Sequence, residues 1–84
     1  MISFSLTALQ HLQFWIENDR KIALRILRMI EEIRRSPFDG IGKPEPLKGD
    51  FKGFWSRRIT DEHRLIYKYT DGQLIIHSCR FHYI

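Results

Sequence analysis

Gly53-Phe54-Trp55-Ser56-Arg57-Arg58-Ile59-Thr60 is the stretch on which the fold turns. It follows a run rich in glycine and proline, and its aromatic and β-branched residues favour extended chain. Two further runs of the same character come after it, Arg64–Thr70 and Leu74–Tyr83. Asp71-Gly72 between them is a hairpin signal, because a two-residue turn with positive φ matches the twist of paired strands. The connection Asp61-Glu62-His63 is also short, so the three runs predict an antiparallel meander. Alternation then places Trp55, Arg57 and Ile59 on one face and Phe54, Ser56, Arg58 and Thr60 on the other. Arg58 and Arg64 converge only if the connection between them has odd length or carries a bulge.

Upstream the period changes from two to 3.6. Ile2 to Ser5 reads as a short opening strand, and Thr7-Ala8-Leu9-Gln10 matches a capping box that starts a helix. Ala8, Leu12, Trp15 and Ile16 recur at helical spacing. Asn18-Asp19 ends that helix and caps a second one beginning at Arg20. Ile22, Ile26, Met29, Ile30 and Ile33 share one side of the second helix, while Lys21, Arg25, Arg28 and Arg35 share another. Ser36-Pro37 stops it, since the proline ring disfavours helical geometry at the preceding residue. These elements predict an α+β class, with two N-terminal helices packed on a small, mainly antiparallel sheet.

The chain has 84 residues and reads as one domain over 1–84, a size at which only about 60% of the unfolded surface can be buried. No apolar run reaches the roughly 18 residues of a membrane span and Met1-Ile2-Ser3-Phe4 does not open like a secretion signal, so a cytoplasmic location is expected. The lone Cys79 has no internal disulfide partner and is expected to be buried in the last strand; no Cys/His cluster has metal-ligand spacing. The formal net charge of +4 is concentrated in the second helix, where Arg20, Lys21, Arg25, Arg28, Arg34 and Arg35 face Glu31 and Glu32. A polyanionic partner fits this distribution, nucleic acid ahead of membrane, as does an ordinary solvated helix face.

Candidate chemistry gathers in two places. The ending Arg80-Phe81-His82-Tyr83-Ile84 is rich in polar groups, and an alternating strand would set His82 beside Arg80 at the sheet edge. In Ile41-Gly42-Lys43-Pro44-Glu45-Pro46-Leu47-Lys48 flanking prolines stiffen the backbone around Glu45 and could aim its carboxylate. A carboxylate, a lysine, arginines, a histidine and a tyrosine, without a serine dyad or an activated cysteine, suit phosphate-ester chemistry. RNA brings its own 2′-hydroxyl nucleophile, so the protein need only move protons and neutralise charge, each proton transfer contributing about 10²–10⁴ in rate. Each side chain also has a structural reading. His82 and Tyr83 suit a strand end, Arg58 and Arg64 could pair with Asp61 or Glu62, and Lys48 could simply be solvated. His11 on the polar side of the first helix, His63 in a turn and His77 in mid-strand read as structural.

Pro37-Phe38 with Gly40 and Gly42, then GKPEPLK, GFWSRRIT, EHRLIY and the ending CRFHY, together resemble the YoeB/Txe toxins of toxin-antitoxin systems, within the RelE superfamily. The resemblance runs from about Arg34 to Tyr83; the segment through Arg20 is less family-like, and Ile84 extends past the tyrosine. It implies a ribosome-dependent endoribonuclease that cuts messenger RNA in the ribosomal A site without metal or cofactor. It also implies silencing by a tightly bound antitoxin of the YefM/Axe kind, and leaves room for a homodimer. By the same analogy Glu45 is the general base, Arg64 stabilises the transition-state phosphate and His82 is the general acid, with Lys48, Arg58 and Tyr83 in support. Arg57 becomes the outward-facing member of its pair, Arg80 is structural, and the basic helix face contacts ribosomal RNA. A ParE-like inhibitor without catalysis and a plain RNA-binding module are the competing readings on the same fold.

Overall fold

The computed structural model describes residues 1–82. In chain order it contains β1 (Ile2–Phe4), α1 (Leu6–Asn18), α2 (Arg20–Arg35), β2 (Glu45–Pro46), a 3₁₀ turn (Gly49–Phe51), β3 (Trp55–Arg58), β4 (Arg64–Thr70) and β5 (Gln73–Ser78). The sheet order is β1-β5-β4-β3-β2, antiparallel throughout except that β1 runs parallel to β5. Two helices on a mainly antiparallel sheet is the expected α+β architecture.

Local signals explain most of the boundaries. Asp71 and Gly72 both adopt positive φ, 53° and 77°, and close the β4–β5 hairpin with Thr70 paired to Gln73. Asp19 caps α2 through its carboxylate, which accepts the amide of Ile22. At α1 the cap differs from the expected Thr7: Ser5, the residue after β1, accepts the amide of Ala8 at 3.0 Å and donates its hydroxyl to the carbonyl of His77. The helix therefore starts two residues earlier, tied to β5.

The core lies between the helices and one face of the sheet. Ala23, Ile26, Met29, Ile30 and Ile33 of α2 and Ala8 and Trp15 of α1 pack against Leu65, Tyr67, Leu74 and Ile76. Ile16, expected in this stripe, is 51% exposed, and His11 is buried in its place. Arg25, expected on the outer basic face, donates from Nε to the carbonyl of Ile59 at 2.7 Å and ties α2 to the end of β3.

Arg57 departs furthest from expectation. It faces inward and is fully buried, and each of its five N–H groups has an acceptor. Nε donates to the Tyr67 hydroxyl, Nη1 to Glu32 at 2.6 Å and to the carbonyl of Ile41, and Nη2 to the carbonyls of Ser36 and Asp39. The Tyr67 hydroxyl donates a hydrogen bond to the carbonyl of Pro37, and Glu32 accepts one from the amide of Ile41. The loop after α2 is thus folded around one guanidinium, and it continues directly into β2 as the Arg58 amide bonds to the carbonyl of Gly42. Gly42 has φ of 81°, and a Cβ there would sit 2.9 Å from the Arg58 carbonyl oxygen, so only glycine fits.

Two outcomes follow. Arg57→Met strips four oxygens of their donor and leaves Glu32 without its cation, so urea unfolding should show a loss of about 3 kcal/mol; a loss below about 1 kcal/mol would contradict this role. The Glu32 carboxyl is held below its usual range, first by the Ile41 amide and then by Arg57, against the opposing effect of its partial burial. A depressed carboxyl pKa stabilises the fold above the unfolded value near about 4.3 and loses that contribution as pH falls through the folded value. Melting temperature should hold from neutral pH and drop below about pH 4.5, with a shallower drop in Glu32→Gln; identical acid slopes would count against it.

Candidate active site

On the face of β2, β3 and β4 away from the helices stand Glu45, Ser56, Arg58 and Arg64, while Arg57 faces the core. Glu45 pairs with Ser56, and Arg58 pairs directly with Arg64, so all four share that face. The convergence of Arg58 and Arg64 arises because the connection between them, residues 59–63, has odd length. Two guanidinium groups placed opposite each other across a strand pair repel, and nothing described offsets it with a carboxylate. Asp61 and Glu62 are not ion-pair partners here: Arg64 Nη1 instead donates to the main-chain carbonyls of Thr60, Asp61 and His63. A like-charge pair without a counter-ion among the described residues is suited to an external anion.

Glu45 is exposed on one flank of this pair, in a recess of about 330 Å³ that it lines with Pro46, Leu47, Lys48 and Phe51. From strand geometry, Glu45 lies one strand spacing and two residues from Arg58, and its Cα is about 12 Å from that of Arg64. Side chains of these lengths can reach a common phosphate from that separation. Lys48 is exposed at the N-terminal side of the 3₁₀ turn.

The other flank is the C-terminal tail, and here the sequence expectation is corrected. β5 ends at Ser78 and does not run to Tyr83, so Arg80 and His82 are not successive members of one strand face. A register irregularity at Ile66/Tyr67 gives β5 an extra residue between Ile76 and Ser78, and Phe81 then turns through a φ of 66°. Cys79, expected inside the strand, is buried just beyond it, and burial pushes its thiol up to about 12. The tail stays close because the Arg64 amide donates to the Phe81 carbonyl at 2.8 Å, which sets the backbone of His82 beside Arg64. His82 is exposed. Arg80 is structural, as expected: its guanidinium carbon lies 3.5 Å from the centroid of the Phe14 ring. Tyr83, a candidate support residue, and Ile84 lie outside the described residues.

The far face also carries a group that pattern reading did not single out. Phe51, Phe54 and His77 form a cluster with ring centroids 5.3 to 6.1 Å apart, and the Lys68 ammonium lies 5.6 Å from the Phe54 ring. The interleaving of Lys48, Phe51, Lys52 and Phe54 was the available signal, and it is obscured by the irregular chain between β2 and β3. Among the described residues, no three His, Cys, Asp or Glu side chains gather as a metal-holding group, and no helix is long and apolar enough to cross a membrane.

The model of the YoeB-like toxins of bacterial type II toxin-antitoxin systems matches residues 4–83, which includes the N-terminal segment that looked less typical. A Toxin YoeB of Streptomyces coelicolor is 62% identical over 69 residues, covering 82% of this chain and 82% of that protein. Among solved structures, a YoeB/ParE toxin from Agrobacterium tumefaciens superposes with a TM-score of 0.93 at 44% identity, covering 98% of both chains. The toxin in a heterotetrameric YoeB-YefM complex from Staphylococcus aureus superposes at 0.91 with 40% identity, covering 99% of this chain and 97% of that one. With a family match over nearly its whole length and a shared fold, this chain belongs to the YoeB-like toxins of type II toxin-antitoxin systems.

Proposed function

We propose that this toxin is an endoribonuclease that cuts messenger RNA in the ribosomal A site, in the cytoplasm, by metal-independent general acid-base catalysis. The observation that carries the reading is the Arg58–Arg64 pair, directly opposed and without a described counter-ion, flanked by Glu45 on β2 and by the tail bearing His82. Glu45 takes the proton of the 2′-hydroxyl, and the 2′-oxygen attacks the adjacent phosphorus. Arg64, supported by Arg58, Lys48 and Tyr83, faces the charge that builds on the non-bridging oxygens. His82 delivers a proton to the departing 5′-oxygen, leaving a 2′,3′-cyclic phosphate and a 5′-hydroxyl. Atoms and charge balance with no cofactor, because the nucleophile belongs to the RNA.

The partners follow the same reading. A YefM-like antitoxin silences the toxin, as the Staphylococcus aureus complex suggests by analogy, and a toxin dimer is compatible with it. Arg20, Lys21, Arg28, Arg34 and Arg35, exposed on α2, supply a surface for ribosomal RNA whose grip weakens as salt rises.

Induced expression of the unmodified chain beside Glu45→Gln, Arg64→Ala and His82→Ala, with mapping of new message ends, tests the proposal. Cleavage should fall by about 10²–10⁴ in each variant, with the melting temperature unchanged for the exposed Glu45. A chelator added to intact ribosomes should leave cutting unaffected. Equal growth arrest by all four chains with no new message ends would instead favour a ParE-like inhibitor, and binding without arrest would favour an RNA-binding module.

A further inference from the structure

The tail that bears His82 is held chiefly by side chains. After β5, the amide of Cys79 donates to Nδ1 of His11 on α1 at 3.1 Å, and the amide of Phe81 donates to Nδ1 of His63 in the β3–β4 connection at 2.8 Å. The Cys79 carbonyl accepts the indole N–H of Trp15 at 2.9 Å. The Phe81 ring sits near both imidazoles, with centroids 5.8 Å from His11 and 6.2 Å from His63, and His63 meets the Trp15 ring edge-on at 4.8 Å.

We propose that His11 and His63 are positioning residues for catalysis, a latch of two imidazole acceptors that fixes the backbone immediately before His82. The proposal rests on the ribonuclease reading of His82. It gives a reason for the left-handed Phe81, since a non-glycine residue at φ of 66° costs on the order of 1 kcal/mol and persists only where its surroundings over-determine it. The chemistry of the acceptor is specific. A ring nitrogen accepts an amide only while it lacks its own proton, so both rings must carry the proton on Nε2. The environment of His11 favours that neutral form: burial lowers its pKa, and Arg80, His63 and His77 lower it further. α1 and the β3–β4 connection are thereby joined to the acid end of the site, while Arg64, the next residue after His63, binds the Phe81 carbonyl from β4.

His63 is half-buried in a connection, so its variants should fold, and they separate a latch from a packing role. His63→Leu removes the acceptor, whereas His63→Asn restores one, because Oδ1 occupies the position of Nδ1. In ribosome-bound message cleavage, His63→Leu should lower kcat by up to about 10²-fold while KM stays within about twofold, and His63→Asn should regain most of the rate. Nitrogen-15 spectra of the imidazoles in the unmodified toxin should show Nδ1 unprotonated in both rings, and the Phe81 amide should exchange faster in His63→Leu. The latch is overturned by a protonated Nδ1 in either ring, by equal impairment of the Leu and Asn variants, or by full kcat in His63→Leu despite faster Phe81 exchange. Absence of cleavage by the unmodified toxin would overturn the ribonuclease reading instead, and the spectra and exchange rates would still decide whether the latch exists.

Discussion

A guanidinium removed from solvent must be given an acceptor for every N–H, and at Arg57 that requirement organises the chain. The acceptors come from α2, from the loop after it and from β4: Glu32, the carbonyls of Ser36, Asp39 and Ile41, and the hydroxyl of Tyr67. No apolar residue could hold that loop, because a loop exposes main-chain carbonyls that need donors. The loop ends at Gly42, bonded to the Arg58 amide, and the chain then enters β2 with Glu45 opposite Ser56. Two adjacent arginines on one strand therefore divide the work, Arg57 inward as the support of the loop and Arg58 outward on the face opposite the helices.

That division explains why the far face can carry two arginines that have no ion-pair partner among the described residues. Arg58 and Arg64 face each other across β3 and β4 at an electrostatic cost, which is tolerable because the core is closed on the other side by α1 and α2. The two flanks are attached differently. β2 is tied to β3 as a two-residue edge strand, while the tail after Ser78 is held by the imidazoles of His11 and His63, the indole of Trp15 and one main-chain bond from Arg64 to Phe81.

The hairpin at Asp71-Gly72, the boundary at Asp19 and the stripe of α2 were legible, because each is set by residues close in sequence, whereas the facing of Arg58 and Arg64 was left conditional on the register that the structure shows. What was not legible depended on distant partners. Alternation sets Arg57 and Arg58 on opposite faces without saying which is inward, the family analogy placed Arg57 outward, and its acceptors lie 10 to 25 residues away. His11 reads as a polar-face residue because the amide it accepts lies 68 positions later. The sequence reading carries the last strand from Leu74 to Tyr83, but the extra residue in β5 breaks its phase, the strand ends at Ser78 and the amides of Cys79 and Phe81 turn to imidazoles. Thr7 heads the capping-box pattern and Ser5 reads as strand, but β1 ends at Phe4 and leaves Ser5 to cap the helix. The family resemblance supplied the roles of Glu45, Arg64 and His82, which spacing alone left open.

The central claim is that one scissile phosphate is met by groups from β2, β4 and the tail. It is tested most directly by a structure of this toxin on a ribosome whose A-site message carries a 2′-deoxyribose at the cleaved nucleotide. The account predicts the Glu45 carboxylate at the 2′ position, the Arg64 guanidinium on the non-bridging oxygens and the His82 imidazole at the 5′-oxygen of one phosphate. A message strand running elsewhere on the toxin, or Glu45 and His82 turned away from that phosphate, would contradict it.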